Sequence, residues 1–197
     1  MRQDSLQKIM FPKAYANSCE EEEQIWWTVE GLQESLENGS CYCRKIAIDS
    51  DCYAGFAVWT LDYSSEETKQ TKASSKKHES WNPKSLDIKA WSQNSKRLRE
   101  ERERVLRGQA NIWRLNTISV ASGYQRQGVG SMLLQWGYDQ ADANGWDAFF
   151  MASPDGVSLY EEFHFEAVGL VWTVYGTFTS MFRKSRSCIE KHAGQKE

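Results

Sequence analysis

Residues 118–136, ISVASGYQRQGVGSMLLQW, restrict the chain more than any other stretch. A short apolar strand runs into a turn punctuated by Gly128 and Gly130, and the turn opens into an amphipathic helix. The first N–H groups of such a helix have no intrahelical partner, and the helix dipole adds positive potential at the same point. The expected product is an anion cradle best suited to phosphate.

The surrounding chain supplies the elements that such a cradle needs. Glu20 to Glu23, followed by Ile25, Trp26, Val29, Leu32 and Leu36, reads as an amphipathic helix with an acidic first turn, ended by Asn38-Gly39. The acid run is better explained as a solvated helix start than as a cation patch. An alternating run, Cys41 to Ile48, and a second run, Cys52 to Leu61, are joined by the turn Ile48-Asp49-Ser50-Asp51 and predict an antiparallel hairpin. Gly55 inside the second run predicts a bulge or a close backbone approach. Upstream, Leu6, Ile9, Met10 and Phe11 before Pro12 suggest the tail of a helix closed by the proline.

From Asp62 to about Pro83 the composition turns to Ser, Thr, Lys and Glu, which predicts a mobile loop. Leu86 to Arg107 resumes helical spacing, with Ile88, Trp91, Leu98 and Val105 on one stripe and Gly108 as the expected residue just beyond the end. Glu100–Arg104 and Glu103–Arg107 are i,i+4 pairs in the favourable order. The basic run around Arg97 and Arg99 is interspersed with glutamates, so it reads as an exposed helix face and not as a nucleic-acid contact. Ile112 to Val120 forms the next strand. In the helix after it, Met132, Leu133, Trp136 and Ala143 define the expected apolar face, and Asn144-Gly145 the end. Trp146 to Ala152 is short, apolar and bounded by turn signals, as a buried strand is. Ser153-Pro154-Asp155 reads as an N-cap, a first-position proline and a first-turn acid, starting a short helix through Leu159, Tyr160 and Phe163. Phe165 to Val174 and Thr177 to Phe182 close the fold as two strands, and residues 184–197 form a polar tail expected to fray. The pattern specifies an α/β fold with a mixed sheet and at least one parallel strand–helix–strand crossover between Ile112 and Ala152.

Composition bounds the function. A chain of 197 residues suits one domain, 1–197, with 62–107 as an inserted loop and helix. A net charge of −3 gives no general reason to bind nucleic acid or an anionic membrane, and no apolar run is long enough for a transmembrane helix. The five cysteines show no zinc spacing, so no metal is expected. Their odd number and scatter indicate free thiols in a reducing compartment, which places the protein in the cytoplasm. The N-terminus lacks the apolar core of a signal peptide.

Taken alone, Gln125-Arg126-Gln127-Gly128-Val129-Gly130 is a weak pattern. No Gly-Lys-Ser/Thr follows it, and its glycines do not give GxGxxG. The succession of strand, Q-x-x-G-x-G, long helix, apolar strand, Leu-Tyr-Glu helix and aromatic strand start resembles the GNAT superfamily of N-acetyltransferases, with Asn111 to Gly169 carrying the resemblance. It is most similar to small fungal and bacterial members with long inserts before the phosphate-binding strand. The resemblance implies a mixed, mostly antiparallel central sheet flanked by helices, and acetyl-coenzyme A as cosubstrate. It implies that the main-chain amides of Gln125, Arg126, Gln127, Gly128, Val129, Gly130 and Ser131 hold the pyrophosphate, with a side-chain contact from Arg126. It further implies that Ile118, Ser119 and Val120 pair with the pantetheine arm, that Ser153 stands where relatives often carry a pantetheine-binding Asn, and that Tyr160 matches the tyrosine set near the thioester sulfur.

A phenol suits that last role chemically. It stays protonated at neutral pH and can donate as a thiolate leaves. The general base is unassigned: Asn116 stands where some relatives hold a carboxylate, and Glu161 and Glu162 read as a solvated face. His78, His192 and His164 lack the partners of a hydrolase triad, and His164 occupies a position where relatives usually have Gly. Relatives also begin with a strand and a full helix before the segment resembling Leu6 to Pro12, so the chain is expected to lack that start. The expected function is acetyl transfer from acetyl-coenzyme A to a small-molecule amine by direct attack in a ternary complex. The alternatives are a catalytically weak acyl-coenzyme A-binding module and a protein N-acetyltransferase. The 62–107 insert and the Trp26–Trp27 helix are expected to shape the acceptor side.

Overall fold

A computed structural model describes residues 18–37, 39–50, 52–62, 82–154 and 156–186. Helix α1 (Ser18–Glu37) is followed by β1 (Cys41–Ala47), β2 (Tyr53–Asp62), α2 (Ile88–Val105), β3 (Ile112–Val120), α3 (Val129–Asn144), β4 (Asp147–Ala152), α4 (Val157–Glu161), β5 (Glu166–Thr173) and β6 (Gly176–Arg183). The six strands form one sheet in the order β1-β2-β3-β4-β6-β5. All neighbours are antiparallel except β3 and β4, joined by the α3 crossover. The mixed, mostly antiparallel sheet flanked by helices is the fold that the sequence implied.

The hairpin is built as expected. The Cys52 N–H donates to Asp49 Oδ1 at 2.9 Å, an Asx turn that closes it. Gly55 is both of the things foreseen. The β1–β2 register shifts beside it, and a Cβ added there would stand 2.6 Å from the Ser119 carbonyl oxygen.

The main core lies between the sheet and the α3–α4 layer. Trp59 and Trp113 stack at 5.7 Å with their planes 6° apart, and Tyr42, Trp136 and Trp146 pack around Trp113. This aromatic slab corrects the expected face of α3. Met132 and Ala143 are exposed, and the buried positions are Val129, Leu133, Leu134, Gly137 and Ala141. The helix is turned by Gly137, where a Cβ would sit 2.1 Å from the Trp59 ring. Only a glycine lets the helix backbone lie on the indole.

The opposite face of the sheet is covered by α2. Leu98 and Ala90 pack against Val171, Tyr175 and Phe178. Arg97 donates to the Trp172 carbonyl at 2.6 Å, and Arg104 to that of Val168 at 3.0 Å, so the helix is strapped to the edge strand β5. Arg104 therefore pairs with Glu101 at 2.7 Å and not with Glu100, because Glu101 is held at the sheet by Ser180 Oγ at 2.7 Å. Gly108 does take a left-handed φ of 76°, but the helix ends at Val105, two residues earlier than expected, and is capped at Leu106.

Three further readings change. Pro83, Ser85 and Leu86 are buried, so the stretch read as loop ends in a packed turn. The rest of that loop, residues 63–81, lies outside the described residues, as do 1–17, Asp155 and 187–197. The tail begins later than residue 184. Lys184 pairs with Asp147 at 2.7 Å, Ser185 is buried with its N–H on Asp147 Oδ1, and Arg186 reaches Asp142. Finally, Ile25, Trp26, Val29 and Leu36 of α1 are exposed, because the helix meets its neighbours through Trp27, set edge-on to Trp91 at 5.6 Å, and through Glu23, which accepts from the Lys84 N–H.

Candidate active site

The site begins where the sheet forks. β3 and β4 pair only from Ile112–Asp147 to Arg114–Phe149. Beyond that point β3 stays with β2 as far as Val120–Gly55, while β4 stays with β6 as far as Ala152–Thr179. The β3 edge from Leu115 to Val120 that faces β4 thus carries main-chain donors and acceptors with no strand partner among the described residues. Unpaired backbone groups facing a cleft are ready to bind an extended, amide-bearing ligand. Ile118 and Val120 turn their side chains into the main core, and Ser119 is exposed.

The cradle follows at once. After a 3-10 turn at Ser122–Tyr124, Arg126 takes φ 61° and Gly128 φ 83°, both left-handed. Gly128 is the N-cap of α3, and no side chain caps it. Met132 N–H to the Gly128 carbonyl, 2.9 Å, is the first rung of the helix, so the amides of Val129, Gly130 and Ser131 lie ahead of the ladder. Left-handed residues ahead of an uncapped helix start form a concave nest of N–H groups. The side chains of Gln125 and Gln127 brace the turn from behind. They donate to the carbonyls of Val120 at 3.1 Å and Gly123 at 2.7 Å, which leaves main-chain amides as the donors for an anion. Gly130 admits close packing, since a Cβ there would already touch Leu159 of α4 at 3.5 Å.

Ser153 and Tyr160 meet beside this cleft by a route the sequence did not indicate. Ser153-Pro154 is not the helix start. The Gly156 N–H donates to the Ser153 carbonyl at 3.0 Å, making a four-residue turn, and α4 starts at Val157 with Gly156 as its cap. Proline at the second position and glycine at the fourth are what such a turn favours. A Cβ on Gly156 would stand 3.0 Å from the Tyr160 ring and 3.5 Å from Ser153 Oγ, so the glycine brings the two side chains near each other. Tyr160 is 6% exposed and its ring lies 3.8 Å, centroid to centroid, from Phe150. Burial pushes its phenol up to about 12, so it stays a proton donor across the physiological range.

Glu161 and Glu162 are exposed, as expected of a solvated face. His164 takes φ 62°, which explains a position where glycine fits better. His78 and His192 lie outside the described residues. No group of three or more His, Cys, Asp or Glu is placed to hold a metal among the described residues.

One cluster escaped sequence reading. On the sheet face opposite α3, Arg114 donates to Asp62 through Nε at 2.6 Å and Nη2 at 3.1 Å, and through Nη1 to Asn116. Asn116 in turn donates to Thr60 Oγ1 at 2.5 Å. The register slips by one residue at Asn116, so both Asn116 and Thr117 are exposed at the fork. The available signal was the pair of polar residues, Arg114 and Asn116, alternating within an otherwise apolar strand. Their partners on β2 are more than fifty residues away in sequence, so only the folded chain shows them together.

Among solved structures, the chain is similar to a GNAT-family acetyltransferase from Desulfovibrio desulfuricans, at 14% identity over 79% of this chain and 77% of that one, with a TM-score of 0.48. It is similar to the ribosomal-protein-S18-alanine N-acetyltransferase from Escherichia coli, at 15% identity over 79% and 75% of the two chains, TM-score 0.44. It is also similar to Arabidopsis thaliana NAA60 in complex with acetyl-CoA, at 12% identity over 78% and 80%, TM-score 0.46. No curated protein matches the sequence. The model of the Acetyltransferase (GNAT) family matches residues 4–165, most of the chain. The cradle, the forked sheet and that match together establish that this chain belongs to the GNAT family of acetyltransferases, enzymes that take their acetyl group from acetyl-coenzyme A.

Proposed function

We propose that this chain acetylates the amine of a small-molecule acceptor, with amine and acetyl-coenzyme A bound together. The observation that carries the reading is the uncapped, left-handed turn at Arg126–Gly128 set directly after an unpaired strand edge. In this reading the amides of Gln125 to Ser131 hold the pyrophosphate, and the open edge at Ile118, Ser119 and Val120 hydrogen-bonds the pantetheine amides. Ser153 adds a hydroxyl at the far side of the cleft. Acetyl-coenzyme A supplies an acyl group already activated as a thioester.

The transfer forms a carbon–nitrogen bond and breaks the carbon–sulfur bond. The departing sulfur needs a proton, and in this reading Tyr160 supplies it and regains one from solvent; its support is a neutral phenol held in an apolar setting beside Phe150. The amine enters as the free base, its surplus proton leaving to water. The free thiols of Cys41, Cys43 and Cys52 support a reducing, cytoplasmic setting. No helix among the described residues is long and apolar enough to cross a membrane.

Thiol release from acetyl-coenzyme A, followed across a panel of small amines and peptide N-termini, tests the reading, with coenzyme A binding measured by calorimetry alongside. Small amines are expected to turn over. Turnover confined to peptides moves the acceptor to proteins. Binding without any turnover leaves an acyl-coenzyme A-binding module, and absence of binding removes the cradle's assigned ligand.

A further inference from the structure

The polar cluster at the fork fixes one side-chain amide from both ends. A guanidinium only donates, so the oxygen of Asn116 is the atom that faces Arg114, and the amide nitrogen faces Thr60. That nitrogen donates to Thr60 Oγ1 at 2.5 Å. Thr60 is buried, and its Oγ1 also lies 3.2 Å from Cys41 Sγ, which pins the hydroxyl from the other side. Arg114 is held in turn by both oxygens of Asp62, at 2.6 and 3.1 Å. An amide nitrogen carries two hydrogens. Thr60 takes one, and the other has no acceptor among the described residues. Asn116 is exposed, and the register slip at this residue is a bulge, a device that re-aims a side chain.

The register of the sheet sets what that hydrogen meets. In the acetyl-transfer reading the pyrophosphate lies on the turn after Val120. The pantetheine arm then follows the unpaired β3 edge back toward Arg114, where β4 closes it off. From Val120 to Asn116 that edge runs about 13 Å, at about 3.3 Å per residue. An arm laid along it ends with its thioester beside Asn116. We infer that Asn116 is a catalytic residue, donating its second N–H to the thioester oxygen. When the amine nitrogen attacks the carbonyl carbon, the C=O electron pair moves onto that oxygen. Its return re-forms the carbonyl and expels the sulfur, which takes the Tyr160 proton, while the surplus amine proton leaves to water. A donor fixed before the reaction stabilises the developing charge without having to reorganise. Arg114 and Thr60 are positioning residues. The guanidinium polarises the amide from its oxygen side and strengthens the N–H as a donor, while Asp62 balances its charge. This inference rests on the acetyl-transfer reading and assigns a further group to its site.

The test uses Asn116→Asp, which keeps the side chain's shape and its acceptor for Arg114 but has no N–H, together with Asn116→Ala and Thr60→Val. Infrared difference spectra of bound acetyl-coenzyme A, isotope-labelled at the acetyl carbonyl, read the hydrogen bond without turnover. The carbonyl band is expected at lower frequency in wild type than in either Asn116 variant. Thiol release with a small amine should show kcat reduced by about 10²-fold in both, the worth of one oxyanion donor. Thr60→Val keeps the amide and removes its brace, so it should lose about tenfold, with a band between the two. Calorimetry should give coenzyme A the same affinity throughout. Identical carbonyl bands in wild type and the Asn116 variants overturn the inference. So does Asn116→Asp working as fast as wild type or faster, the result expected of a position that wants a base. A shifted band in a protein that transfers acetyl to no amine overturns the acetyl-transfer reading and leaves the Asn116 contact standing.

Discussion

The two sides of the fork are made of different materials. On the α3 side the groups proposed to bind are main-chain amides, arranged by local backbone conformation at Arg126 and Gly128 and by the lack of a helix cap. On the α2 side stand paired charged side chains, Asp62 and Arg114, brought from two separate strands. Main-chain donors are indifferent to most substitutions and specify a common chemical group. Side-chain donors can be exchanged singly and specify one ligand among many.

The sharpest way to probe the division is at the centre, where both sides must meet. Tyr160→Phe keeps the ring against Phe150 and removes only the hydroxyl. kcat should fall by about 10²-fold, the usual worth of a placed acid, with the KM for acetyl-coenzyme A nearly unchanged. A pH dependence accompanies it. An unfolded tyrosine ionises near pH 10, roughly, while burial holds Tyr160 protonated up to about 12. Its contribution to stability is therefore whole below about pH 10 and is lost as the pH rises from there through about 12. Urea midpoints measured across that window should drop more steeply for wild type than for Tyr160→Phe; equal slopes would show that the phenol is not buried as described.

On the cosubstrate side, Gly128→Val should weaken coenzyme A by about tenfold. Nothing lies within 4 Å of the added Cβ, so the whole effect comes from forcing a branched residue to φ 83°. Calorimetry reads it, and an unchanged affinity would mean that the turn does not cradle the anion. On the acceptor side, Arg114→Met leaves Asp62 and Asn116 without their partner. The ion pair is partly exposed, at 19% and 34%, so the stability loss should be only about 1 kcal/mol. Coenzyme A affinity should not move, and if it fell as far as in Gly128→Val the two sides would not be separable. The smallest effect belongs to Arg126→Gly. Relief of a left-handed arginine, partly offset by the freer unfolded chain, should raise stability by about 0.5 kcal/mol. Coenzyme A binding should fall by no more than about threefold, because the amide and not the guanidinium is the main donor.

Legibility followed the same line. The strand from Ile112 to Val120 and the left-handed Gly145 that ends α3 were readable because each follows from nearest-neighbour chemistry. The hydrophobic face of α3 was not, because Met132 and Leu133 are equally apolar and only the Trp59 ring against Gly137 selects between faces. Ser153-Pro154 misled for a related reason. The same residues favour a helix start and a tight turn, and Gly156, seated against Tyr160, tips the choice to the turn. Arg104 was matched to the wrong glutamate because the rule for helix pairs knows nothing of Ser180, which holds Glu101 at the sheet.

The sequence by itself determined the order of elements, the glycine turn that opens α3 and the family, since these rest on short stretches whose backbone preferences are intrinsic. The tertiary structure alone decided where the sheet parts and which charges pair across its strands there. Those are properties of groups more than fifty residues apart, joined by a loop whose closure costs only a few kcal/mol. Contacts of that kind leave no periodicity in a sequence, and Asp62 and Arg114 came together only when the chain closed around them.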